Sequence, residues 1–185
     1  MSDAWLLTLS SDYRTFCARR FDRAGGGRRL YASAMTLTGR NDHEQASYLD
    51  IVEAIERFGA RNSIAQDLEQ LFRRVVFNVL TADRDDHLRN HGFLRTPLGW
   101  RLSPAFDMNP TPERHEHSLT LDGSVRLPDV EVVRDTATFY RLSAERADSI
   151  IGEVRDTVRH WRSVARETEI VRDEIERMED AFALA

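Results

Sequence analysis

Lysine is missing from this chain: all 26 basic residues among its 185 are arginine. That removes the compact ammonium group with which phosphate sites commonly hold a ligand. A single cysteine, Cys17, excludes an internal disulfide and any cysteine-based zinc cluster, and it suits a reducing compartment. No apolar run approaches the ~20 residues of a membrane span, and Met1 to Leu7 lacks the basic region and cleavage site of a signal peptide. We therefore expect a cytoplasmic protein with no membrane partner. A glycine-rich phosphate loop is also missing, because Gly25-Gly26-Gly27 sits in a basic turn without the strand-loop-helix spacing of a phosphate cradle. The net charge of -5 argues against a protein that coats nucleic acid, so direct nucleic-acid binding is not expected.

What remains is a composition of 41% hydrophobic and 31% charged residues, enough for one globular core and hence one domain over 1-185. Charge is unevenly spread. Between Asp12 and Arg40, arginines 14, 19, 20, 23, 28, 29 and 40 stand against only Asp12 and Asp22, whereas Glu167 to Asp180 is acidic. Ala24 to Asn41 reads as a mobile Gly- and Arg-rich loop, either a solvated face or a contact for phosphates or an acidic partner.

Residues 4 to 9 and Thr15 to Arg20 read as short strands around the polar turn Ser10-Ser11-Asp12. Apolar spacing then predicts a helix from Tyr48 to a stop at Gly59 and a long helix from Ile64 to Leu80, with Asn62-Ser63 as its N-cap. Further helices are expected from Asp129 to about Tyr140, from Ser143 along an apolar stripe reaching Val164, and from about Thr168 to Phe182.

The segment Phe77 to Asn109 concentrates the acids and amides. A polar loop, Ala82 to Asn90, leads into two strand-like pieces, Gly92 to Arg95 and Gly99 to Leu102, joined by Thr96-Pro97-Leu98. Such a hairpin brings its ends together, so Asp85 and Asn90 at its entrance are expected beside Asp107 at its exit. His87 is expected to bond loop backbone. His115, His117 and Asp122 form either a divalent-metal set on one strand face or an ordinary polar stretch.

Asp85-Asp86-His87-Leu88-Arg89-Asn90 resembles the DxHxxN loop of HipA-like serine/threonine kinases, and Leu102-Ser103-Pro104-Ala105-Phe106-Asp107 resembles their L-x-P-x-[YF]-D segment. Phe16 to Arg23 is similar to their ERFDR hinge, and Ser118 to Gly123 to their L-x-[IL]-[DN]-G turn. The resemblance implies a mainly α fold, a protein-kinase-like C-lobe helical domain with a small β-hairpin carrying the catalytic loop and a short N-terminal hairpin, the N-lobe being absent from 1-185. It implies ATP- and Mg²⁺-dependent phosphoryl transfer, with Asp85 orienting and deprotonating a Ser/Thr hydroxyl. Asn90 and Asp107 would hold Mg²⁺, and adenine would meet the backbone at Arg19 and Phe21, Arg19 standing where the family has Glu. Family members are commonly toxins with a helix-turn-helix antitoxin as partner.

Without the lysine and the glycine loop, catalysis is expected to be weak or absent unless a separate N-lobe protein completes the site, as in a split kinase. The rival reading is a non-catalytic remnant, a pseudokinase or protein-interaction module, with self-association through an exposed hinge surface. A metal-dependent hydrolase using Asp85, Asp86, His87 and Asp107 is a third.

Overall fold

The structure is a computed structural model that describes residues 3–10, 13–42 and 44–185. Its centre is helix α3, Ile64–Leu80, which ends where its apolar spacing predicts. Leu68, Leu71, Phe72, Val75, Val76, Val79 and Leu80 are all buried along it. Helix α2, Tyr48–Phe58, packs on α3 through Ile51, Val52 and Ile55. Its start is fixed by a reciprocal cap: Ser47 Oγ accepts from Leu49 N at 3.1 Å while Asp50 Oδ2 accepts from Ser47 N at 2.8 Å. The cap expected on α3 is different. Ser63 occupies the N-cap position with ψ near 0°, and its hydroxyl donates to Asn62 Oδ1 instead of capping the helix.

Strands β6, Gly92–Thr96, and β7, Gly99–Leu102, form the expected hairpin, with Thr96 opposite Gly99 and Pro97-Leu98 as its turn. Strand β5, Tyr31–Ser33, adds antiparallel to the other edge of β6. The hairpin is tied to α3 by Asp67, a buried carboxylate that accepts from Arg101 Nε at 3.0 and 3.2 Å and from Leu102 N at 3.1 Å. It is also pressed against the end of α2. Ala60 N donates to Trp100 O at 2.7 Å, and a Cβ on Gly99 would lie 2.6 Å from Gly59 O.

At the N-terminal end, β1, Ala4–Thr8, and β2, Arg14–Ala18, pair antiparallel. Of the turn expected at 10–12, Ser11 and Asp12 lie outside the described residues, as do Met1 and Ser2. Trp5, Leu6, Leu7 and Phe16 on this ribbon are exposed.

Three expectations need correction. The segment 24–41 is not a loop. It holds a tight ribbon of β3, Arg23–Ala24, and β4, Gly27–Arg28, then β5, then α1, Ala34–Thr38. The glycines supply the turn, with φ of 55° at Gly25 and 78° at Gly26, and Ser33 and Gly39 cap the short helix at its two ends. The long C-terminal helices are broken into shorter ones: α4, Val130–Asp135, followed by a 3-10 turn over Ala137–Tyr140; α5, Ala144–Val158; α6, Trp161–Glu167; and α7, Arg172–Arg177, followed by a 3-10 turn over Glu179–Phe182. An apolar stripe keeps its phase across a two-residue break, so periodicity alone does not reveal one. Finally, 113–122 is irregular and not a strand, so His115 and His117 do not share a strand face. Among the described residues no helix is long and apolar enough to cross a membrane.

Gly99 has φ of 142°, and a side-chain methyl there would lie 2.6 Å from the backbone of Gly59 and Ala60, so Gly99→Ala should lose about 2–4 kcal/mol in urea unfolding. Gly152→Ala, in α5 with nothing within 4 Å of the new methyl, should be neutral or stabilising by ~0.5–1 kcal/mol. Equal losses at the two positions would contradict the close approach at Gly99.

Candidate functional site

The loop between α3 and β6 is held by a buried carboxylate. Asp86 Oδ2 accepts from Tyr48 Oη at 2.7 Å and from Asn78 Nδ2 at 2.7 Å, and lies 2.8 Å from His91 Nε2. Burial alone would push this carboxyl up, but the charge and hydrogen bond of His91, with the Tyr48 hydroxyl, hold it below the usual carboxylate range. The Tyr48 hydroxyl is driven well up by burial and then by Asp86, so it remains a donor. Behind them Arg74 is buried too. Its Nη2 donates to Ser103 O, and burial lowers its pKa to about 10 against the pull of Asp86 and Asp67.

The rest of the loop is pinned from 111–118. Thr111 N donates to Ala82 O at 2.8 Å, Arg84 N to Thr111 Oγ1 at 3.0 Å, and Ser118 N to Arg84 O at 3.0 Å. Arg84 also donates to the carbonyl of Arg114.

Asn90 and Asp107 are brought together across the hairpin, Asn90 Nδ2 donating to Asp107 Oδ2 at 2.9 Å. Asn109 Nδ2 donates to the other oxygen, Oδ1, at 3.0 Å. Asp107 adopts φ of 56°, a left-handed conformation that Asp tolerates better than most residues. Asp85 does not join this pair by a hydrogen bond. Its half-exposed carboxylate is 2.7 Å from Arg114 Nη1. The amide oxygen of Asn90 and the carboxylate oxygens of Asp107 belong to the hard donor class that suits Mg²⁺.

Asp107 and Asn109 border a cleft of about 390 Å³ whose opposite wall is Ala4, Phe16 and Ala18 of the β1–β2 ribbon. The Phe106 ring, which also lines the cleft beside Asp107, has its centroid 5.6 Å from that of Phe21, which is 6.3 Å from that of Tyr31. At Arg19 the backbone N–H is already used, donating to Asp3 O at 2.8 Å, so a ligand could meet only its carbonyl.

Sequence reasoning missed Asp83. It is buried, its Oδ2 has no partner, and burial, then Asp86 and Asp107, raise its pKa to about 8. The network around Asp86 was missed as well, although the sequence held a signal for it: Asp67, Arg74 and Asn78 follow one another at helical spacing on the buried face of α3. His87 does not bond loop backbone through Nδ1, which is buried without a partner. His117 is buried with neither ring nitrogen partnered, burial and Arg84 lowering its pKa to about 4, while His115 is exposed. Among the described residues no group of three or more His, Cys, Asp or Glu side chains is arranged to hold a metal, so the His115, His117 and Asp122 set and the hydrolase set are not formed.

The family described as HipA-like C-terminal domain matches residues 1–161. No curated protein matches the chain. Among solved structures, HipA from the complex of the Shewanella oneidensis MR-1 toxin-antitoxin system HipA, HipB and its operator DNA superposes with a TM-score of 0.75 at 14% identity. That alignment covers 99% of this chain and 50% of the other, so the chain spans half the length of its structural neighbour.

Asp83 makes a pH prediction. A carboxyl raised in the folded state contributes stability that is complete below its unfolded pKa of ~3.9 and is lost as pH rises through about 8. Asp83→Asn in metal-free buffer should therefore match the native chain near pH 4 and melt at least ~3 °C higher at pH 9. Parallel melting curves across that range would show that Asp83 titrates normally.

Proposed function

This chain belongs to the HipA-like C-terminal domain family, and from that premise we propose that it is one kinase-type lobe over 1–185 whose cleft holds Mg²⁺·ATP. The observation that carries the reading is the Asn90–Asp107 contact at the rim of the aromatic cleft. Mg²⁺·ATP supplies the transferable phosphoryl group together with the charge that neutralises it. The Asn90 amide oxygen and the Asp107 carboxylate are the ligands offered to the ion, and the Asp86 and Asp107 charges, which add to burial in raising Asp83, favour a cation there. Phe21 and Phe106 would face the base, with the backbone of Arg19 and Phe21 bonding its edge.

Asp85 is the residue proposed to orient a Ser/Thr hydroxyl and take its proton. It first has to leave Arg114, a half-exposed ion pair of the kind that is worth little in water. The lysine and glycine-loop contacts to the phosphates must come from outside these 185 residues, so alone the chain would be a weak kinase or none. The apolar faces of the β1–β2 ribbon, with Trp5 and Phe16 exposed, favour a partner there. We propose an N-lobe or a helix-turn-helix antitoxin as that partner, in a cytoplasmic toxin-antitoxin system. The same exposed ribbon also favours the second reading, a protein-interaction module without catalysis.

Calorimetric titration with Mg²⁺ and a nonhydrolysable ATP analogue tests the site. Weak saturable binding is expected, reduced at least ~10-fold by Asp107→Asn. Binding that is indifferent to Asp107→Asn, or no heat at millimolar nucleotide even with a co-purified partner, would rule out the phosphate and metal role and leave the interaction module.

A further inference from the structure

With no lysine in the chain, any side-chain cation that meets a phosphate here has to be an arginine. Most arginines around the cleft are committed elsewhere. Arg74 is buried against Ser103 O, Arg84 donates to the carbonyls of Pro112 and Arg114, and Arg89 pairs with Asp42. On β2, whose Phe16 and Ala18 wall the cleft, Arg14 pairs at 2.7 Å with Glu169 in the turn between α6 and α7. Arg114 is different, because it touches a residue of the proposed site: its Nη1 lies 2.7 Å from Asp85 Oδ1 and donates to Ser118 Oγ at 3.2 Å.

The backbone of Arg114 is fixed and its side chain is not. Arg114 N donates to Thr111 O at 3.1 Å, Arg84 reaches the Arg114 carbonyl, and Thr111 is bonded in turn to Ala82 and Arg84 of the loop that carries Asp85. The guanidinium, like the Asp85 carboxylate, is half exposed, and an ion pair of that kind opens at little cost. Rotation about the side-chain torsions can therefore carry the guanidinium from Asp85 to another anion while the backbone stays in place. Its planar fork suits phosphate oxygens, which it can meet with two parallel hydrogen bonds.

We propose that Arg114 is a phosphate-contacting residue of the transfer, a cation that leaves Asp85 for the terminal phosphoryl group of the nucleotide. This role rests on the kinase-type reading of the cleft, and it concerns the terminal phosphate, whereas the lysine and glycine-loop contacts lie outside these residues. In that reading Asp85 takes the proton of a Ser/Thr hydroxyl as the hydroxyl oxygen bonds to the γ-phosphorus, and the bond from that phosphorus to the β-phosphate oxygen breaks, ADP leaving with the electron pair. A cation that touches Asp85 stands beside the group in transit, whose equatorial oxygens carry the charge. The exchange of partners also sets an order. Arg114 neutralises Asp85 until a triphosphate draws the guanidinium away, so the base is released when there is a phosphoryl group to transfer.

Calorimetry on the whole chain with Mg²⁺ and either a nonhydrolysable ATP analogue or ADP separates this role from the site as a whole. Arg114→Ala should weaken the triphosphate at least ~10-fold and ADP less than ~2-fold, since a charge-assisted, bidentate contact to the terminal phosphate is lost. Arg114→Lys, which keeps the charge without the fork, should fall between Arg114→Ala and the native chain. Asp107→Asn should weaken both nucleotides. Circular dichroism checks that each variant is folded, and Arg114→Gln takes the place of Arg114→Ala if the latter fails to fold. If Arg114 only holds the segment 111–118, its loss weakens both nucleotides alike. That result, or no loss at Arg114 while Asp107→Asn still acts on both, would overturn the role of Arg114 and leave the reading of the cleft standing. Binding of neither nucleotide, even with a co-purified partner, would overturn both.

Discussion

One oxygen atom organises the middle of this molecule. Asp86 Oδ2 is met by a side chain from α2, Tyr48, one from α3, Asn78, and one from the entrance of β6, His91. An ionised carboxylate in a dry core is tolerable only where donors compensate its lost hydration, and here three do so at once. The two helices and the hairpin are thereby locked in one arrangement. The loop leading to Asn90 has little freedom left, and that loop sets how Asn90 meets Asp107.

Helix α3 supports the region with both kinds of chemistry. Its apolar residues make the core, while Asp67, Arg74 and Asn78 reach from the same buried surface to β7, to the Ser103 carbonyl and to Asp86. These polar ties fix direction in a way that apolar contacts alone do not, since hydrogen bonds demand particular partners. The cleft therefore has a rigid side, carried by α3 and the hairpin, and a side formed by the exposed β1–β2 ribbon.

The elements legible in the sequence were those whose signals are local. The limits of α2 and α3 and the Pro97-Leu98 turn all follow from residues within a few positions of one another. The meeting of Asn90 with Asp107 followed from the hairpin between them. What stayed hidden depends on distant partners: the capture of Asp85 by Arg114, the burial of Asp83 and His117, and the use of Arg19 N by Asp3. The segment 24–41 was misjudged for another reason. Composition weighed its glycines and arginines together, whereas position makes the glycines a turn and Ser33 a cap.

The ion pair between Arg14 and Glu169 joins residues 155 positions apart. On a ribosome adding ~5–20 residues per second, Glu169 is made roughly 8–30 s after Arg14. During that interval the β1–β2 ribbon, with Trp5, Leu7 and Phe16 exposed, exists without the α6–α7 turn beside it, and its apolar strands are open to chaperones and to neighbouring nascent chains.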